Sequence, residues 1–148
     1  MKNKGLTLIE FLIVIVIFTV LAGVLIGGAF KAIEIARIRK TEAEIAALEA
    51  ALDLYRSDTG HYPILAFWMF NEFWWHLEEG LGEAGWNGPY MHFDSDRVDW
   101  VGCYEDPWGN NYLYFKGGVH NGSDYFDLWS CGPDGRNDWG GNDDITNW

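Results

Sequence analysis

The feature that most constrains this chain is an apolar run close to its amino terminus. Leu6–Phe30 spans about 25 residues with a single charge, Glu10, and a helix of that length crosses the hydrocarbon of a bilayer. Residues 6–30 are therefore predicted to form one transmembrane helix. Lys2 and Lys4 precede the run, and positive charge on that side predicts a cytoplasmic amino terminus with the remainder of the chain exported.

Two simpler explanations of this run account for less of it. A cleaved secretory signal peptide has a shorter apolar stretch and a small-x-small cleavage pattern, which the sequence lacks here. A plain signal anchor explains the length but not Glu10. An ionisable side chain inside a membrane helix costs on the order of 3 kcal/mol, so Glu10 is expected to have a function and to need a cationic partner from outside the segment.

The residues around Glu10 resemble a known processing signal. Gly5-Leu6-Thr7-Leu8-Ile9-Glu10, ahead of an unbroken apolar helix, resembles the class III signal of type IV pilins and of type II secretion pseudopilins. The resemblance implies that a prepilin peptidase removes residues 1–5 as a leader, cutting after Gly5, and methylates the new amino terminus at Leu6. The usual first mature residue of that family is Phe, and Leu6 departs from it.

The same resemblance makes Glu10 the fifth residue of the mature chain. We hypothesise that Glu10 pairs with the α-amino group of Leu6 on a neighbouring copy. Each charge would then offset the burial cost of the other, and the pair would fix the axial register between copies. The chain is expected to form a helical homo-oligomeric filament.

An amphipathic stem follows the apolar run. It opens with a basic collar expected to face solvent or lipid headgroups, formed by Lys31, Arg37, Arg39 and Lys40. From Thr41 onward apolar side chains recur at helical spacing, at Ile45, Leu48, Leu52 and Tyr55. The pattern predicts that the helix continues to about Ser57, with residues 31–58 as its amphipathic half. Gly60 and Pro63 then follow in the order that commonly ends a helix.

Residues 64–86 form an aromatic segment that contains Phe67, Trp68, Phe70, Phe73, Trp74, Trp75 and Trp86. Apolar positions at helical spacing predict a second, shorter helix over about Ala66–Glu79. Two roles stay open for these rings. They form the core and subunit contacts of a head domain, or they form an exposed patch that recognises an exported protein or a polymer.

The carboxyl-terminal part is rich in turns and short strands. Its strands are predicted at Arg97–Tyr104, Asn111–Phe115 and Tyr125–Ser130. The stretch Ala50–Pro63, the turn Asp106-Pro107-Trp108-Gly109-Asn110-Asn111-Tyr112 and the closing runs 126–135 and 142–148 resemble the major, G-type pseudopilin of type II secretion.

That resemblance implies an α+β, type IV pilin-like fold. A long amino-terminal helix, half transmembrane and half amphipathic, would pack on a small carboxyl-terminal antiparallel sheet with a calcium loop. Residues 31–148 would form the head domain, in which residues 97–148 contribute the sheet and the loop.

The acidic loop near the carboxyl terminus is the candidate metal site. Four carboxylates gather in a glycine-rich stretch with only Arg136 to offset them: Asp134, Asp138, Asp143 and Asp144. Calcium suits such a loop because it accepts six to eight oxygens in flexible geometry, although the EF-hand order of ligands is missing. A solvated loop without a metal is the simpler reading. The resemblance implies calcium, with the side chains of Asp134, Asp143 and Asp144 and the main-chain oxygens of Cys131 and Arg136 as ligands.

Cys103 and Cys131 are the only cysteines, and both lie in the exported part, where disulfides form and persist. Each adjoins a predicted strand, so a disulfide bond between them is expected to hold the acidic loop to the sheet. Two buried thiols are the alternative.

Composition and motifs argue against other classes of function. A net charge of −12 leaves too few basic residues for a nucleic-acid groove. The four histidines are scattered, and the sequence contains neither a zinc motif nor a nucleophile elbow, so no enzyme is expected.

The resemblance therefore implies a non-enzymatic subunit of a type II secretion pseudopilus. The chain would lie in the bacterial inner membrane with its head in the periplasm. Its partners would be minor pseudopilins, an inner-membrane assembly platform and the prepilin peptidase. The alternatives are a type IV pilin of a surface filament, for adhesion or motility, and a calcium-stabilised binding module on a membrane stalk.

Overall fold

The computed structural model describes residues 7–64 and 73–148, without the side chains of residues 24–27. Its longest element is α1, Leu8–Thr59, of 52 residues. The chain divides into two compact units, Met1–Ala36 and Arg37–Trp148. In the first unit the apolar side chains of α1 are largely exposed, and α1 is long and apolar enough to cross a membrane, with a mean hydropathy of 3.0 over its most apolar 18 residues.

In the second unit α1 presents the predicted apolar stripe to the core. Ile45, Leu48, Leu52 and Tyr55 are all buried there. The helix ends where the sequence predicts, because Gly60 at φ 84° donates its N–H to the Arg56 carbonyl at 2.8 Å. Glycine adopts this left-handed conformation without a Cβ penalty, which is why it closes so many helices.

Three short strands form one antiparallel sheet in the order β1-β2-β3. They are β1, Leu113–Lys116; β2, Phe126–Ser130; and β3, Ile145–Thr146. Tyr114 pairs with Leu128, and Lys116 pairs with Phe126. Tyr114, Phe126 and Leu128 belong to the core cluster that includes the buried stripe of α1. The predicted α+β architecture of a long helix and a small antiparallel sheet is confirmed.

The prediction of a strand over Arg97–Tyr104 is wrong. Ser95–Arg97 is a 3-10 helix, and Val98 meets Tyr104 only in an isolated bridge. The chain turns between them because the Asp99 carboxylate accepts the N–H groups of Val101 and Cys103, both at 2.9 Å. β3 takes the third place in the sheet, and the sequence pattern did not predict it.

The aromatic segment is described from Phe73 onward. It is helical at Phe73 and continues as a π-helix over Trp75–Glu79, so the predicted helix is confirmed in this part and its remainder lies outside the described residues. Phe73 and Leu77 are fully buried in the core. Trp75 donates its indole N–H to the Val101 carbonyl at 2.9 Å. Phe73 and Trp75 therefore pack within the head domain rather than forming an exposed patch. Phe67, Trp68 and Phe70 lie outside the described residues.

Candidate functional site

The acidic loop brings three carboxylates together. One oxygen from each of Asp134, Asp138 and Asp143 lies within 4.8 Å of the other two. Two of the three were predicted as ligands, and Asp138 was assigned to the loop without a ligand role. Backbone hydrogen bonds hold them in place, because Asp143 accepts the N–H of Asp134 at 3.0 Å and Asp134 accepts that of Arg136 at 2.8 Å. Three negative oxygens this close favour a cation between them.

Asp144 follows this trio in the sequence and holds the loop backbone in place through hydrogen bonds. Its Oδ2 accepts the N–H groups of Asp138 at 3.0 Å and Gly140 at 2.8 Å. Its Oδ1 is buried and has no hydrogen-bond partner among the described residues. Burial, and then the charges of Asp138 and Asp143, raise the pKa of Asp144. An unsatisfied buried carboxylate oxygen is costly, and a bound cation would satisfy it.

The backbone packs tightly at the base of the loop. Gly132 has φ 62°, and a Cβ at this position would lie 2.1 Å from the Asp143 carbonyl oxygen. The structure therefore requires glycine here for both conformation and space. The main-chain oxygens of Cys131 and Arg136 stay predicted ligands.

A buried hydroxyl joins this loop to the turn at residues 106–110. Asp106 accepts the N–H groups of Trp108 and Asn110, both at 2.9 Å, and the hydroxyl of Ser130 at 2.5 Å. The Ser130 oxygen in turn accepts the N–H of Gly132 at 3.0 Å. The sequence marks the turn by its Asp-Pro-Trp-Gly-Asn pattern, but not its connection to the acidic loop.

The structure does not contain the predicted disulfide bond. Cys103 and Cys131 are both buried and are not joined to each other. Burial, and then the surrounding carboxylates, raise the pKa of the Cys131 thiol to about 11. The structure shows the alternative arrangement, in which both cysteines are buried and are not bonded to each other.

A second polar cluster, which sequence reasoning missed, ties α1 to the strand region. Glu44 on α1 accepts a bidentate pair of hydrogen bonds from Arg97 and one from the Tyr112 hydroxyl at 2.6 Å. Tyr104 completes it, donating to Glu44 at 3.3 Å and accepting from Arg97 at 3.0 Å. Burial acts to raise the pKa of Glu44, but the hydrogen bonds from Arg97 and Tyr112 outweigh it and hold that pKa below its usual value. The pairing raises the pKa of Arg97.

The start of α1 contains a capping box. Glu10 Oε2 accepts the backbone N–H and the hydroxyl of Thr7, each at 2.8 Å, while the Thr7 hydroxyl accepts the N–H of Glu10 at 3.4 Å. The Thr-x-x-Glu spacing could have predicted this arrangement. Gly5 and Leu6, the predicted processing residues, lie outside the described residues.

Two family models match the sequence. Protein G of the type II secretion system matches residues 29–148, and the prokaryotic N-terminal methylation motif matches residues 1–26. The chain belongs to the type II secretion system protein G family. The family predicted from the sequence motifs is therefore confirmed, and the methylation motif covers the residues from which processing was predicted.

Relatives from other bacteria match this chain along nearly its whole length. The type II secretion system core protein G of Escherichia coli K12 is 37% identical over 148 residues, covering 99% of this chain and 92% of that protein. The core protein G of Pseudomonas aeruginosa is 32% identical, covering 99% of this chain and 96% of that protein. The crystal structure of the major pseudopilin of enterohaemorrhagic E. coli is 28% identical, with a TM-score of 0.46, and covers 84% of this chain and 93% of that one.

Proposed function

We propose that this protein is a structural, non-enzymatic subunit of a type II secretion pseudopilus. The observation that carries the proposal is the end-to-end match to core protein G relatives, which includes both the apolar segment and the head. The large apolar side chains of α1 from Leu8 to Leu21 are each at least 45% exposed in the monomer. Such a surface needs lipid before assembly and neighbouring copies of α1 after it.

Membrane insertion and processing come first in this proposal. The chain lies in the inner membrane with its head in the periplasm, as the lysines ahead of the apolar run favour. The prepilin peptidase cuts after Gly5 and methylates Leu6. The assembly platform and minor pseudopilins then incorporate the mature chain into the filament.

Glu10 sets the register of assembly by pairing with the α-amino group of Leu6 on a neighbouring copy. The local geometry supports this role, because both hydrogen bonds from Thr7 reach Oε2. No described residue donates to Oε1, so this oxygen can accept a neighbour's amine. A charge-assisted hydrogen bond of this kind is strong where water is excluded.

The test compares Glu10→Gln with Glu42→Gln, an exposed position on the same helix, in cells that overproduce the protein. Glu10→Gln should insert into the membrane but give no filaments by electron microscopy and no protein export, whereas Glu42→Gln should resemble the parent. Normal filaments from Glu10→Gln would contradict the pairing. If Glu10→Gln abolishes surface motility but leaves export intact, the protein is a type IV pilin instead. If the parent chain itself stays in the membrane and never forms filaments, it is a stalked binding module.

The proposal also places one calcium ion in the acidic loop. Asp134, Asp138 and Asp143 would supply carboxylate oxygens, and the buried Oδ1 of Asp144 fits the same need for a cation. The ion would offset the repulsion among these carboxylates and fix the loop against the sheet. Its role would be structural.

Calcium binding can be measured on the full chain in detergent. All nine tryptophans lie at residues 68–148, so their fluorescence reports unfolding of the head. At a hundredfold excess over Kd, calcium should add about 2.7 kcal/mol of stability and raise Tm by roughly 5–10 °C relative to the chelated protein. Asp143→Asn should lose this response, and Asp124→Asn, an exposed control outside the loop, should keep it. An unchanged Tm after chelation would exclude the ion.

A further inference from the structure

An aromatic cleft of about 870 Å³ lies on the face of the sheet that is turned away from α1. Side chains alternate between the two faces of a strand. Phe126 and Leu128 point into the core with α1, whereas Phe115 and Trp129 line the cleft. Its volume lies within the roughly 300–1,000 Å³ typical of ligand sites.

Three indole rings form the walls of this cleft. Trp129 is only 5% exposed and forms the floor, while Trp139 and Trp148 are 61% and 38% exposed at the rim. The Trp129 ring lies 6.0 Å from each of the other two, centre to centre. His120 stacks on Trp148 at 4.3 Å with an interplanar angle of 3°. The cleft therefore offers the exposed parts of the Trp139 and Trp148 rings to solvent, with Trp129 buried beneath them.

The backbone holds the rim rings in position. Trp139 has φ 56° and donates its N–H to the side chain of Asn137 at 3.0 Å. The Asn137 oxygen also accepts the indole N–H of Trp129 at 3.1 Å. Gly140 packs against Trp148, where a Cβ would lie 2.1 Å from the ring. The aromatic faces are thus preorganised, which lowers the entropic cost of binding.

The acidic side chain of the cleft is already engaged in hydrogen bonds. Asp127 lines it, but its two oxygens accept the backbone N–H groups of Val119, His120 and Asn121 at 2.7, 3.0 and 3.0 Å. The side-chain amides of Asn110 and Asn111 also line the cleft and make no hydrogen bond within the described part of the chain. They are available as neutral donors and acceptors.

We propose that this cleft binds a neutral, β-1,4-linked oligosaccharide. Each ring of such a chain has a flat C–H face, which packs on indole, and a rim of hydroxyl groups, which the asparagine amides can bind. Among the residues that the structure describes, no lysine or arginine lines the cleft, and the protein carries a net charge of −12, so an anionic sugar is disfavoured. This binding does not depend on the pseudopilus assignment.

Titration calorimetry on the full chain tests the inference. The detergent must be zwitterionic and free of sugar, because an alkyl glycoside would itself compete for the cleft. Cellohexaose and fully N-acetylated chitohexaose should bind, and the comparison between them identifies the type of neutral sugar. An oligogalacturonate of the same length, which is anionic, should not bind.

Matched variants assign the binding to the cleft. Trp139→Gly removes one ring, and glycine suits its left-handed backbone, so the affinity should fall about tenfold with the fold intact. Asn111→Ala should also weaken binding. Trp100→Ala removes a tryptophan that is 94% exposed but lies outside the cleft, and it should leave the affinity unchanged. The inference is overturned if neither neutral hexamer binds, or if Trp139→Gly and Asn111→Ala bind the hexamers as tightly as Trp100→Ala does.

Discussion

The ion pair between Glu44 and Arg97 allows a quantitative prediction. The change is Glu44→Gln, which keeps the size of the side chain and one acceptor oxygen but removes the charge that faces Arg97. The two side chains are only 14% and 15% exposed. The substitution therefore leaves a guanidinium nearly buried without its counter-charge.

Removing one partner of a buried ion pair typically costs 3–5 kcal/mol, because the other charge is left uncompensated. Gln retains one hydrogen-bond acceptor and Arg97 retains hydrogen bonds to the Tyr104 hydroxyl and the Glu105 carbonyl. We therefore expect the low end of that range, about 3 kcal/mol. At a urea slope of about 1.5 kcal/mol per molar, the unfolding midpoint should fall by about 2 M.

The assay is urea unfolding of the full chain in detergent, followed by tryptophan fluorescence. Glu42→Gln is the matched control, because Glu42 is on the same helix and pairs at 2.8 Å with Arg39 on the surface. An exposed pair contributes little, so this control should change stability by less than about 0.5 kcal/mol. Arg97→Met supplies the second single variant of a double-mutant cycle.

The stability difference between the parent and Glu44→Gln should shrink as the pH falls. The folded chain holds the pKa of Glu44 below its usual value, so the carboxylate stabilises the fold above the unfolded-state pKa of about 4.3. That contribution is lost as the pH falls through the lower, folded value. The difference between the parent and Glu44→Gln should therefore be full at pH 7 and shrink below about pH 4.

The cycle also defines what would refute this reasoning. The double variant Glu44→Gln/Arg97→Met leaves no unpaired charge, so its loss should be about 2 kcal/mol smaller than the sum of the single losses. Additive losses, or an effect of Glu44→Gln no larger than that of Glu42→Gln, would show that the pair does not hold α1 to the strand region.

Two further predictions concern the loop and the first turn of α1. Gly132→Ala should destabilise the head by more than Gly109→Ala in the same urea assay, because both positions have positive φ but only Gly132 has a backbone oxygen within 4 Å of the added Cβ; equal losses would contradict the clash. Thr7→Ala should remove the cap and weaken the first turn by about 1 kcal/mol, seen by NMR as faster amide exchange at the start of α1. Thr19→Ala, whose hydroxyl bonds within the helix to the Val16 carbonyl, should leave that exchange unchanged, and similar exchange in both variants would argue against the capping box.

The helix and its buried face could be predicted because their causes are local. The spacing of Leu48, Leu52 and Tyr55 follows the helical period, and Gly60 ends the helix through a contact with the preceding turn. The short strands were harder to predict. Arg97 begins a stretch with strand-like residues, but its side chain is committed to Glu44, 53 positions earlier, and Asp99 turns the chain.

The acidic loop could be predicted only in part. The resemblance implied a cation in this loop, which stays a prediction, and the structure brings Asp134 and Asp143 close together. The resemblance named Asp144 and not Asp138 as a ligand, whereas the structure brings an Asp138 oxygen beside those of Asp134 and Asp143. The difference depends on which carboxylate the loop turns onto its own backbone N–H groups. Asp144 is the one that accepts from Asp138 and Gly140.

By itself, the sequence determined the apolar segment, the helix that follows it, the acidic charge of the head and the family to which the chain belongs. Each of these follows from residue type and from spacing within a few turns. The tertiary structure alone decided that Glu44 meets Tyr112, 68 positions away, and that Trp129, Trp139 and Trp148 share one cleft. Packing brings such distant residues together, and no local pattern records which of them will meet.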